Sequence, residues 1–176
     1  SRDGKWLAYN EGGTGTRGGS DVLVMPLDGS ADAKPVVATT ASEINGQISP
    51  DGRWLAYEST VSGRLEVWVR PFMTEGASSQ VSREGGEGSR WSADGRELHF
   101  LSTSGLMSAS MSGENAGTPR QFIAGRFVRP TNANSNYSVA ADGRGVLMVQ
   151  PVQPDRPVTQ IEVVLNVLNV LGGIVK

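Results

Sequence analysis

The sequence contains no cysteine and a single histidine, His99. The first absence excludes disulfides, thiolate-bound zinc and thiol nucleophiles, while leaving the redox compartment open. The second excludes any metal centre built from several imidazoles. No metal site and no cofactor are expected. Positive charge is not in excess either: sixteen Lys and Arg against eighteen Asp and Glu give a formal charge of −2. A nucleic-acid surface needs a basic excess to neutralise phosphates, so nucleic acid is not an expected partner. The longest apolar stretch, IEVVLNVLNVLGGIV at 161–175, is interrupted by Glu162, Asn166, Asn169 and a Gly pair. It is shorter than the roughly 20 apolar residues of a bilayer-spanning helix, so no membrane insertion by this segment is expected. Neither a basic n-region nor an apolar h-region opens the chain, which gives no sign of a signal peptide. No segment sustains a 3.6-residue apolar period, and helices are not expected.

What is present is repetition. SRDGKWLAY at 1–9 returns as SPDGRWLAY at 49–57, SADGRELHF at 92–100 and AADGRGVLM at 140–148. Asp3-Gly4, Asp51-Gly52, Asp94-Gly95 and Asp142-Gly143 are therefore 48, 43 and 48 residues apart, and a recurring unit of that length points to a repeat architecture. Asp-Gly between β-prone runs is a strong hairpin signal, because glycine accepts positive φ and aspartate bonds nearby backbone. Short segments precede each turn (NGQIS, GSRWS, NYSVA), and RWLAYEST, RELHFLS and RGVLMVQ follow. Third strands are expected in DVLVMP at 21–26, LEVWVR at 65–70 and LMSASM at 106–111, with weaker fourth strands in PVVAT, SSQVS and PRQFI.

Four short strands per unit describe one antiparallel blade of a β-propeller. In RWLAY both faces of the strand carry apolar side chains, as a blade sandwiched between two others requires. The fold expected is all-β, a propeller fragment of about three and a half to four four-stranded blades: a partial first blade at 1–43, then 44–87, 88–135 and 136–176. The first unit lacks its leading strand, which suggests that blades are missing upstream; VVLNVLNV at 163–170 could supply that strand if the ring closes.

With these motifs in view, the chain resembles TolB-type, WD-repeat-like β-propellers, in which Ser-Pro-Asp-Gly-Lys/Arg marks each blade. Within that group EVWVRPF at 66–72, WSADGRELHFLS at 91–102, GTPRQF at 117–122 and RPVTQIEVVLN at 156–166 resemble propeller segments fused to bacterial serine/threonine kinases. The resemblance departs after Asn166, where Val167 stands in place of the usual Trp. It implies a non-enzymatic module that binds a protein, a peptide or a signal ligand, as the C-terminal sensor or scaffold part of a larger bacterial protein such as a serine/threonine kinase whose other domains lie upstream, and it leans towards a periplasmic or extracytoplasmic place. The alternatives are the gating propeller of a prolyl-oligopeptidase-like serine peptidase and a TolB-like periplasmic scaffold.

No residue is assigned a catalytic, cofactor or metal role. His99 aligns with Ala8 and Ala56 in a strand interior, and no Gly-x-Ser-x-Gly elbow accompanies it; it is read as a packed, hydrogen-bonded residue. The four turn aspartates sit one per blade, which spaces them around a ring instead of converging them on a cation. Lys5, Arg53, Arg96 and Arg144 follow the glycines and are read as solvating strand ends, with a steering ring for an acidic partner as the functional alternative. Trp6, Trp54, Trp68 and Trp91 are read as interblade packing. EGGTGTRGG at 11–19 lacks the companion motifs of a kinase phosphate loop. With RFVRPTNANSN at 126–136, it is the loop where recognition is first sought. The sequon at Asn136 overlaps a leading strand, where a glycan would obstruct pairing.

Overall fold

The computed structural model describes residues 1–12, 19–113, 115–128, 136–143 and 145–149. Among them are fourteen strands and no helix: β1 (Trp6–Gly12), β2 (Ser20–Pro26), β3 (Lys34–Val37), β4 (Glu43–Ile48), β5 (Trp54–Ser59), β6 (Glu66–Pro71), β7 (Ser79–Gln80), β8 (Glu87–Trp91), β9 (Glu97–Leu101), β10 (Gly105–Ser112), β11 (Asn115–Ala116), β12 (Arg120–Ala124), β13 (Tyr137–Val139) and β14 (Val146–Met148). No helix among the described residues is long and apolar enough to cross a membrane.

Each of the four repeated Asp-Gly pairs is a turn, with Gly4, Gly52, Gly95 and Gly143 at φ of 70°, 71°, 72° and 70°. That left-handed backbone is one glycine adopts without a Cβ clash. The strands pair antiparallel into sheets of order β1-β2-β3, β4-β5-β6-β7 and β8-β9-β10, the last carrying β11 and β12 on β10, and into the β13-β14 hairpin. β11 is a strand that the sequence did not announce. Residues 150–176, including the proposed closing segment 163–170, lie outside the described residues.

Three apolar clusters hold the sheets together, one at each interface. Val22, Val24 and Val37 of the first sheet meet Leu55, Tyr57 and Phe72 of the second. Ala56, Val67, Val69 and Val81 on the opposite face meet Leu98, Phe100 and Ala109 of the third. Leu101, Leu106 and Ile123 then meet Tyr137, Val146 and Met148 of the hairpin. Both faces of β5 are thus buried, because period-2 alternation sends Leu55 and Tyr57 one way and Ala56 the other. Burial at roughly 25 cal/mol per Å² makes these interfaces the main source of stability.

The sheets approach closely at their leading edges. A Cβ on Gly46 of β4 would lie 2.5 Å from Val22 Cγ1 of the neighbouring sheet. Trp91 Nε1 donates to the Gln47 carbonyl at 3.0 Å, tying β8 to β4. Arg2 Nη1 donates to the Ala93 carbonyl at 2.8 Å, although the second sheet stands between the first and the third. That contact shows the turn ends of the sheets converging towards a common axis.

Candidate functional site

The turns are built alike. Ser49 Oγ donates to Asp51 Oδ1 at 2.6 Å and accepts from the Trp54 amide at 2.9 Å, while Asp51 Oδ1 also accepts from the Arg53 amide at 3.1 Å. Ser92, Asp94, Glu97 and Arg96 repeat the arrangement at 2.7, 2.9 and 3.0 Å. Ser1, Asp3, Trp6 and Lys5 do so at 2.5, 2.9 and 3.2 Å. The hydrogen bond from Ser92 holds Asp94 below the ordinary carboxylate range, with the Arg96 amide assisting. Burial pushes Asp51 the other way, but its bonds from Ser49 and Arg53 outweigh it and the net shift is downward. The basic residues pair with their own turn aspartates, at 3.6 Å for Lys5–Asp3, 2.7 Å for Arg53–Asp51 and 3.9 Å for Arg96–Asp94. Arg144 lies outside the described residues.

The leading strands carry a different chemistry. β4 and β8 each have a register shift, between Ile44 and Gln47 and between Glu87 and Arg90. Such bulges re-aim side chains. Asn45, at φ 56°, turns its amide inward: Asn45 Nδ2 donates to Glu58 Oε1 at 2.5 Å, and the same oxygen accepts from the Ser89 amide at 2.9 Å. Gln47 Nε2 lies 3.4 Å from Asn45 Oδ1, extending the network towards the half-buried surface of β4. Glu58 is 1% exposed. Burial raises its carboxyl above the ordinary range; the Ser89 and Asn45 bonds oppose that shift and the charge of Glu87 adds to it. Burial likewise raises the Tyr137 phenol, with Arg90 opposing and Glu58 reinforcing. Asn45, Glu58, Ser89 and their charged neighbours Glu87 and Arg90 form a polar cluster behind the leading edges of the second and third sheets, with Tyr137 of the hairpin within its field. A buried acid whose proton affinity is raised beside a positive-φ residue is a candidate functional feature on physical grounds.

The sequence reading missed this cluster because it weighed only the turn aspartates. One signal was available: at the step held by Glu58 the other repeats carry Asn10, Leu101 and Val149, so a carboxylate occurs there once in four copies. Two further buried carboxylates serve the sheet junctions. Glu43 accepts from Thr39 Oγ1 at 2.6 Å and Ser59 Oγ at 3.1 Å; Glu66 accepts from Ser82 Oγ at 2.5 Å and the Gly85 amide at 3.0 Å.

His99 is buried on an interblade face, tilted against Phe122 with ring centroids 5.3 Å apart. It differs from the expectation in its bonding. Nδ1 has no hydrogen-bond partner, and Nε2 stands 3.8 Å from Glu97 Oε2. Burial lowers its pKa, Glu97 opposes that shift and Arg120 adds to it. The four tryptophans are half-buried, Trp54 and Trp91 against one interface cluster and Trp6 and Trp68 against another. Residues 13–18 and 129–135 of the two candidate recognition loops lie outside the described residues. Among the described residues no group of three or more His, Asp or Glu could hold a metal ion.

No protein-family profile and no curated protein matches the sequence. Solved structures do match. A provisionally assigned TolB of Agrobacterium tumefaciens superposes with a TM-score of 0.62 at 16% identity, over 88% of this chain and 54% of its own. The fold is a TolB-like β-propeller. A periplasmic gluconolactonase of Pseudomonas aeruginosa shares this propeller fold at a TM-score of 0.52 and 21% identity, over 91% of this chain and 56% of its own. An oligogalacturonate lyase of Vibrio parahaemolyticus does so at 0.51 and 12%, over 89% and 39%. The chain thus spans about half the length of the first two structures and less of the third. These last two overturn the expectation of a non-enzymatic module, since enzymes share this propeller fold. The physical reason is that catalytic groups are carried by particular side chains on a common scaffold, so the lack of a serine elbow or a histidine pair excludes only those two chemistries.

Proposed function

We propose that this chain is a recognition segment of a larger TolB-like propeller, binding a protein, a peptide or a polar signal ligand on the surface formed by its leading strands. The observation that supports it is the Asn45–Glu58–Ser89 network. It fixes the bulges of β4 and β8 from behind, and so presets the half-buried polar residues Gln47, Glu87 and Arg90 of the leading strands. A preset surface loses less conformational freedom on binding. Photo-crosslinking within the full-length protein tests the reading: a crosslinker placed at Gln47 should trap the ligand, and one at Lys34 on the outer strand should not. Equal trapping at both positions would remove the leading-edge site.

Kinase linkage is the finer form of this reading, supported by the segments at 66–72 and 91–102. The upstream reading frame tests it, through the presence of a kinase domain and one membrane helix.

A second reading rests on Glu58. A buried acid with raised proton affinity can serve as a general acid, and a structure of the same fold is a gluconolactonase. In this reading the parent protein opens a sugar lactone and Glu58 supplies the proton. Titrimetric hydrolysis of gluconolactone, lost in Glu58→Gln, would establish it. The 1% exposure of Glu58 leaves a substrate little access, which places recognition first.

A further inference from the structure

Beyond the leading-edge surface, at the turn ends of the third sheet and the hairpin, a crevice of about 180 Å³ is lined by Ser92–Asp94, Glu97, His99 and Val139–Gly143. Among the described residues its walls carry three carboxylates, Asp94, Glu97 and Asp142, and neither lysine nor arginine. The floor is His99, 2% exposed, with its Nδ1 lacking a hydrogen-bond partner. A buried ring nitrogen left without a partner is costly unless something completes it. At the rim, the guanidinium of Arg2 donates to the Ala93 carbonyl at 2.8 Å.

We propose that this crevice is a binding site for a guanidinium group, such as the arginine side chain of a peptide. The chemistry is complementary. A guanidinium offers five donors in a planar fork and accepts nothing. The crevice offers carboxylate oxygens and turn carbonyls, and the His99 ring beneath them adds no positive charge in its neutral form. Burial favours that neutral form. At about 180 Å³ the space lies below the roughly 300–1,000 Å³ of drug-sized ligand pockets, so it suits one side chain. A competitor is built in: Arg120 Nη2 holds Glu97 Oε1 at 2.7 Å from outside the crevice. Asp94 is similarly shared with Arg96 at 3.9 Å.

His99 is the sole histidine, so its imidazole Cε1–H proton gives one unambiguous NMR signal. Butylguanidinium, titrated into the protein at pH 7, should shift that signal saturably, and the neutral isostere butylurea should not. Glu97→Gln should weaken the apparent affinity about five-fold, the scale of one exposed ion pair. Arg120→Gln should tighten it, because Glu97 is then released to the ligand; a purely structural pair would show no gain. An acetylated Gly-Arg-Gly amide binding more tightly than butylguanidinium assigns the site to peptide arginine, and the reverse order assigns it to free guanidines. No shift with either cation, or equal shifts with butylurea, would overturn the proposal.

Discussion

Asn45 and Gly88 stand at the same step of successive leading strands, and both hold left-handed backbone, at φ of 56° and 64°. The bulge is therefore a repeated feature of the blade, and asparagine and glycine are the residues that enter this region at least cost. Asn45→Gly keeps the backbone and loses only the side-chain bonds to Glu58, Ser89 and Gln47. Asn45→Ala loses the same bonds and adds about 1 kcal/mol of backbone strain. Urea midpoints should rank Gly above Ala, the reverse of their order in an ordinary strand. The usual order would mean that the bulge relaxes.

Glu58 binds its proton more tightly in the folded chain than in the unfolded one, where a glutamate titrates near about 4.3. Its contribution is most favourable below that value and declines as pH rises through the folded one. Asp3, Asp51 and Asp94 have the opposite sign, since their lowered values add stability that is lost on acidification. The comparison with Glu58→Gln isolates the buried acid: from pH 4 to pH 7 the variant should gain stability relative to the parent in paired urea titrations. A constant difference across that range would mean that Glu58 is not shifted.

The turn serine is tested by removing it in one blade and adding it in another. Ser49→Ala strips two hydrogen bonds from a site 1% exposed and should cost about 1–2 kcal/mol. The last described turn has Ala140 where the others have serine. Ala140→Ser should stabilise by about 0.5–1 kcal/mol, read as a rise in the thermal midpoint. A fall would show that the hairpin turn is closed differently.

Gly46→Ala would press a methyl group 2.5 Å from Val22 Cγ1, and valine has little freedom at χ1 to retreat. The expected cost is about 1–3 kcal/mol. Val22→Ala alone leaves a cavity, but the pair should lose less than the sum, because one change makes room for the other. Additive costs would place the two residues apart.

Much of the architecture could be read from the chain before any coordinates. Asp-Gly followed by an apolar run is a local instruction, and its return at 48, 43 and 48 residues marked the hairpins that β4–β5, β8–β9 and β13–β14 form. Apolar residues on both faces of RWLAY likewise announced a sheet buried on two sides. The two-residue β7 was visible only as a weak run, and β11 was not visible at all, because strands that short are set by the partner they pair with.

The amino-acid order alone determined the turns and strands, since positive φ at glycine, the Asp side chain and period-2 alternation all act within a few residues. The fold decided which polar groups meet. Asn45, Glu58 and Ser89 are 13 and 31 residues apart, and His99 faces a crevice whose far wall is the turn at 140–143. Proton affinity and hydrogen-bond deficit depend on what surrounds a group once water is excluded. That environment exists only when the sheets have stacked.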